Sequence, residues 1–367
     1  MPALRRVFAL HVQLAWLLAA GLLASPALWA QDRPAVYPSA ADVKADFLKL
    51  LDRPRVPLDA QVLETKAEKN DLTSERISLA TQKRADGQIE RVPMLLVRPA
   101  KVAGKLPVVI VLHGTGGNKE SQRVWLDRLA TAGIIGAAID ARYHGERSGG
   151  AKGSEAYQAA IAQAWKAPLE AQEHPFYYDT CWDLWRTIDY LAARDDVDSS
   201  KIGMIGFSMG GIQTWLAAAV DDRVKVVVPA IAAQSFRWSL DNNQWQGRAR
   251  TIKQPHEMAA QDLGKEEVDA EVCRTLWNKL IPGMLDRFDC PSMLRLFAGR
   301  PMLIVSGETD PNCPLGGANL AFASAEAAYK QAGASDKLKI DVAAGVGHKV
   351  TDEQQKMALE WFVKWLK

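Results

Sequence analysis

The 367-residue chain is 48% hydrophobic and 24% charged, the balance of a folded globular protein long enough for one large domain or two of average size. Its 45 basic and 43 acidic residues leave a formal charge of +2, which argues against nucleic acid or an anionic membrane surface as a partner. Its 4 cysteines and 6 histidines show neither a CxxC nor a clustered His/Cys spacing, so a structural zinc is not expected.

The first thirty residues stand apart. Arg5 and Arg6 precede an apolar run from Leu14 to Ala24, and small residues follow up to Ala30. Such a run suits the core of a secretory signal but not a span of ~30 Å of hydrocarbon, which takes about 20 residues. Residues 1–30 are therefore expected to be an export signal cleaved after Ala30 or Ala27. The mature chain would be periplasmic or secreted, without stable membrane insertion; an uncleaved N-terminal anchor is the rival reading. Export would make Cys181, Cys273, Cys290 and Cys313 oxidisable, and only Cys273 and Cys290 are near enough in sequence to suggest a local staple.

Residues 31–76 read as a lead-in with prolines, charges and one amphipathic segment at 42–51, packed on the surface of a domain that spans 77–367. "RISLAT" and "ERVPMLLVRPA" are predicted antiparallel strands joined through Asp86-Gly87. Then come "LPVVIVLHG", "GIIGAAID", "KIGMIGFS", "VKVVVPA", "RPMLIVSGE" and "KLKIDVAAG", separated by helical patterns at 120–132, 178–194, 209–220, 320–332 and 352–366. Continuous apolar strands alternating with amphipathic helices predict an α/β domain: a mostly parallel, doubly wound sheet with helices on both faces. Trp182, Trp185 and Ile188, at helical spacing, are read as a core stripe rather than a substrate platform.

Two segments, 142–175 and 231–299, exceed an ordinary connection and leave from the carboxyl ends of strands, where open sheets bind ligands. They are expected to roof a pocket. The second has a helical piece near 266–280 and carries Phe236, Trp238, Trp245 and Trp277, as a lining of that roof or as an ordinary helical cap.

Gly206-Phe207-Ser208-Met209-Gly210 fits G-x-S-x-G between a strand and a helix, where a tight turn pushes a serine hydroxyl out of the sheet. A serine needs a base. His348, in the glycine-flanked loop "AAGVGHKVTDE" beyond the last strand, can swing over it, whereas His113 more plausibly braces its own strand-end loop. Asp310, after the preceding strand, is the expected acid, with Glu308 the alternative. Two N–H donors must also face the developing oxyanion. Met209 supplies one, and "HGTGG" the other, from Thr115 first and Gly116 second. "DARYHGERSGG" offers Arg142, Tyr143 and His144, with His113 and Trp238, as residues for holding substrate; an internal ion-pair and hydrogen-bond network is the favoured reading of that loop.

The order Ser208, Asp310, His348 is that of the α/β-hydrolase superfamily, which the chain resembles from about Ile77 to its end. Within it, "LHGTGGNKE", "AIDARYHGERSGG", "GFSMGGIQTW", "GETDPNCP" and "GVGHKVT" resemble the branches related to dienelactone hydrolases and acetyl xylan esterases. Serine stands where dienelactone hydrolases proper carry cysteine, so the resemblance implies hydrolysis of carboxylic esters through an acyl-enzyme. Short acyl groups, including acetylated carbohydrates, are the implied substrates, with no metal or organic cofactor. The chain is also similar to the catalytic domain of prolyl-oligopeptidase-type peptidases, without room for their N-terminal propeller. An exopeptidase or amidase, or a non-catalytic binding protein on the same fold, are the alternatives.

Overall fold

The computed structural model describes residues 37–101, 103–169 and 173–367. The expected signal segment lies outside them. No described helix is long and apolar enough to cross a membrane.

The first described element is helix α1 (Ala40–Leu51), capped by Ser39, whose hydroxyl accepts from the Asp42 N–H at 3.1 Å. Val43, Phe47 and Leu51 repeat at helical spacing and are buried. Phe47 meets Tyr178 and Trp185 edge-on, with ring centroids 5.4 and 6.2 Å apart. This part of the lead-in therefore packs on the domain as an amphipathic surface helix, its apolar stripe in the core and its other face exposed.

Strands β1 (Gln61–Glu68), β2 (Leu72–Lys83) and β3 (Ile89–Pro99) form an antiparallel meander. Strands β4 (Leu106–Leu112), β5 (Ile135–Ile139), β6 (Val197–Phe207), β7 (Val224–Ala230), β8 (Met302–Gly307) and β9 (Leu338–Ala343) run parallel to one another. All belong to one sheet in the order β1-β2-β3-β5-β4-β6-β7-β8-β9. Strand β1 and the start of β2 precede the expected boundary at residue 77. β1 is an edge strand exposed along nearly its whole length, so it carries no apolar alternation to read.

Side chains alternate across the sheet: Val108, Ile110 and Leu112 of β4 join one core, Val109 and Val111 the other. Helices α2 (Arg123–Thr131) and α12 (Asp352–Leu366) cover the second core, whereas α4 (Tyr178–Ala192), α5 (Met209–Val220) and α11 (Leu315–Gln331) cover the first. Trp182, Trp185 and Ile188 are buried there as a core stripe. The first long connection holds α3 (Glu155–Lys166). The second holds α6 (Phe236–Asp241), α7 (Gln246–Arg250), α8 (Lys253–Asp262), α9 (Ala270–Leu280) and α10 (Cys290–Leu294). Its Phe236 and Trp277 are fully buried, and the Trp277 indole N–H donates to His256 Nε2 at 3.0 Å. All four cysteines are buried and unpaired, so no staple joins Cys273 to Cys290.

Beneath the β5 end, Asp183 is fully buried; its carboxylate accepts from Arg142 Nε at 3.0 Å and Thr81 Oγ1 at 2.8 Å and forms an ion pair with Arg147 Nη2 at 2.9 Å. Burial alone would raise the Asp183 carboxyl, but Arg142 and Arg147 outweigh it and hold it well below the usual carboxylate range. Asp183→Ala strands two buried guanidinium groups, and urea denaturation should register a loss of about 3–5 kcal/mol. The folded pKa is depressed, so this stabilisation is complete above the unfolded carboxylate value of about 3.9 and is lost as pH falls below it. Asp183→Ala should accordingly flatten the acid limb of the stability–pH curve; an unchanged limb would assign acid unfolding to other carboxylates.

Candidate active site

Ser208 sits between β6 and α5 at φ 54°, ψ −111°, a strained conformation for a residue with a side chain. Its own N–H donates to Ala230 O at 3.0 Å, tying the turn to β7. The flanking glycines are sterically required. A Cβ on Gly206 would lie 2.1 Å from Gly210 O, and one on Gly210 would lie 2.6 Å from Leu112 O. The first turn of α5 therefore approaches the sheet more closely than any larger residue allows.

His348 follows β9, with Nε2 2.8 Å from Ser208 Oγ and Nδ1 2.7 Å from Asp310 Oδ2. Among the described histidines only His348 reaches Ser208. Asp310 is almost wholly buried, and its other oxygen, Oδ1, accepts from the N–H groups of Asn312 at 2.8 Å and Cys313 at 3.2 Å. That turn leaves Oδ2 facing the imidazole. Glu308 is exposed and accepts from Gly345 N–H at 2.7 Å, so it holds the histidine loop instead of the ring. Thr309 N–H donates to Val346 O at 2.9 Å, and a Cβ on Gly307 would meet Gly347 O at 2.2 Å. The acid and histidine loops are thus locked to each other through backbone.

Met209 occupies the first position of α5, where backbone N–H groups have no intrahelical acceptor. The "HGTGG" loop passes alongside: a Cβ on Gly114 would lie 3.6 Å from Ser208 Cβ. Gly117 N–H is committed to Gly114 O at 3.0 Å, whereas the Thr115 N–H finds no acceptor among the described residues. Gly116 has φ 79° and lies against Gly153 and Ser154.

The other expected substrate contacts resolve differently. His113 Nδ1 donates to Gly114 O at 2.8 Å and Nε2 accepts from Ala141 N–H at 3.1 Å, joining the loops after β4 and β5; burial lowers its pKa. Arg142 is engaged by Asp183 and by Gln82 at 2.7 Å, fully inside the protein. His144 is buried against His113 and Tyr157, and desolvation pushes it down to about 4. The strand-end loop is therefore an internal network, and these three side chains are removed from solvent. Tyr143, at φ 63°, donates to Glu173 at 2.8 Å and accepts from Arg84 at 3.0 Å. It lines a separate cavity of about 440 Å³ with Arg84, Gln163 and Glu173, whose walls do not include Ser208, Asp310 or His348. Trp238 is half-buried and lies against Gly316 and Gly317 at the start of α11.

Arg248 carries no motif and Cys313 reads from sequence only as an oxidisable thiol, yet both sit at the acid. Arg248 Nη2 donates to Asn312 O at 2.9 Å and contacts Cys313 Sγ at 3.4 Å. Only tertiary packing brings Arg248 there, whereas Cys313 arrives through the acid's own turn. Asp310, Cys313 and His348 each place a ligand-type atom within 4.8 Å of the others. The set suits a cation poorly, because the Arg248 guanidinium already lies on the thiol and burial pushes that thiol up to about 12.

Residues 92–260 match the Dienelactone hydrolase family. The chain is 26% identical over 293 residues to "Putative hydrolase YtaP" of Bacillus subtilis (strain 168), covering 76% of this chain and 84% of that protein. Among solved structures it is similar to acetyl xylan esterase 1 from Thermoanaerobacterium sp. JW/SL YS485, with a TM-score of 0.65 at 17% identity over 91% of this chain and 96% of that one. A glucuronoyl esterase from Solibacter usitatus gives 0.60 at 17% identity over 93% and 94%. At such identities the structural likeness establishes the fold: the chain has the α/β-hydrolase fold, and its residues 92–260 are similar to the dienelactone hydrolase family.

Proposed function

We propose that this chain is an exported serine esterase that cleaves carboxylic esters with short acyl groups, acetylated carbohydrate among them. The observation that carries the reading is the imidazole of His348 bridging Asp310 at 2.7 Å and Ser208 at 2.8 Å. With Nδ1–H donated to the carboxylate, the Nε2 lone pair faces the serine hydroxyl. Ser208 Oγ attacks the ester carbonyl as Nε2 takes its proton. Negative charge on the carbonyl oxygen meets the N–H groups of Met209 and of Thr115 or Gly116. Collapse expels the alcohol, protonated from Nε2, and water repeats the sequence on the acyl-enzyme. The esterase names of the structural neighbours, an acetyl xylan esterase among them, support the substrate class.

A fluorophosphonate probe should label the wild-type protein at Ser208 and leave Ser208→Ala unlabelled. With p-nitrophenyl acetate, Ser208→Ala should lower kcat by about 10⁴-fold or more, and Asp310→Asn by a comparable factor through the wrong imidazole tautomer. A wild-type protein that takes no label would point to a non-catalytic member of the fold. Across p-nitrophenyl esters of graded length, acetylated xylan and aminoacyl anilides, kcat/KM should be highest for the acetyl esters; anilides turned over as fast would favour an amidase. The basic, apolar and small-residue zones of residues 1–30 support export. In a Gram-negative host, intact-mass analysis of the periplasmic fraction should find the chain starting at Gln31 or Leu28, and a full-length chain retained in the cytoplasm would refute it.

A further inference from the structure

Arg248, on the short helix α7 of the second insertion, is 2% exposed. No carboxylate lies within ion-pair distance of it among the described residues, and its Nε finds no acceptor there. A guanidinium so placed is costly to bury. Two of its contacts go to one short stretch of chain: Nη2 donates to Asn312 O at 2.9 Å and to Cys313 Sγ at 3.4 Å, while the cation lies 5.4 Å from the centre of the Phe236 ring and also meets the Tyr177 hydroxyl. The N–H groups of Asn312 and Cys313 are the two that hold Asp310 Oδ1. Cys313 Sγ in turn donates to Ile231 O at 3.3 Å, at the end of β7. Next to Arg248, a Cβ on Gly247 would lie 1.9 Å from Pro311 O, so the backbone of α7 rests directly on the residue after the acid.

We propose that Arg248 is a positioning residue: it fastens the Asp310 turn to the roof, so that the second insertion, and not the sheet alone, sets the aim of the carboxylate at His348. The side chain gripping Asn312 O holds the peptide whose N–H, that of Cys313, reaches Oδ1, while Gly247 packs on Pro311 O, the carbonyl of the peptide that supplies the Asn312 N–H; a turn free to pivot would carry Oδ2 off the imidazole. The guanidinium is 2% exposed and its contacts are with protein, the signature of a framework role. The inference rests on Ser208, His348 and Asp310 acting together in catalysis.

The test compares R248Q, R248K, D310N and the double variant R248Q/D310N. R248Q should lower kcat on p-nitrophenyl acetate by up to about 100-fold with KM changed less than about twofold, and R248K should recover part of the loss. In the D310N background R248Q should add almost nothing, since the carboxylate it aims is already gone. The downfield proton resonance of His348 Nδ1–H should shift or broaden in R248Q at a temperature where circular dichroism shows the variant fully folded. Unchanged kcat, a rise confined to KM, a full additional loss in the D310N background, or an unmoved resonance would each overturn the proposal. Should R248Q not fold, R248K and R248K/D310N carry the same comparison. The resonance separates the two ideas: its response to R248Q with no ester turnover in the wild type would sink the esterase reading and leave the positioning role standing.

Discussion

Everything distinctive about this molecule hangs on one imidazole held by hydrogen bonds at both nitrogens, with a buried carboxylate on one side and a serine hydroxyl on the other. Each bond is short-range and directional, so its value depends on how firmly three remote loops are fixed. The chain fixes them without covalent ties. Ser208 is held by a strained turn whose glycines admit no Cβ, Asp310 by two peptide N–H groups, and His348 by a loop laced to the acid's own loop through backbone and through Glu308.

The polar groups divide into those that face the reaction and those that keep the frame rigid. His113 spends both nitrogens joining the loops after β4 and β5, and Arg142 and Arg147 are balanced by Asp183 and Glu90 beneath them. Such a network is costly to desolvate and is stable only when complete. Its place below "HGTGG" keeps that segment beside the serine, where the oxyanion donors are needed. Arg248 makes an analogous clamp from the opposite side, tying the roof to the acid turn.

Much of this was legible in the chain because local chemistry and global fold agree. The Val- and Ile-rich runs became the parallel strands, and Ser208, Asp310 and His348 each fall at a strand's carboxyl end, where the fold must converge. What escaped depends on contacts between distant segments. β1 has no apolar face, and Arg248 sits in a five-residue helix with no motif, significant only because it packs on Asn312 and Cys313. The side chains of "DARYHGER" could serve as ligands or as struts from sequence, with struts the favoured reading, and burial makes Arg142 and His144 struts. Residues 1–30 lie outside the described chain, so export rests on their composition.

The four unpaired, buried thiols bear on where such a chain can assemble. Desolvation keeps Cys181 and Cys290 protonated far beyond neutral pH, so they are poor nucleophiles toward oxidants or mixed disulfides. The folded domain therefore requires neither an oxidase nor an isomerase to mature, and reductant leaves its architecture untouched. The same tertiary structure is open to it in the thiol-rich interior of a cell and in the oxidising world beyond.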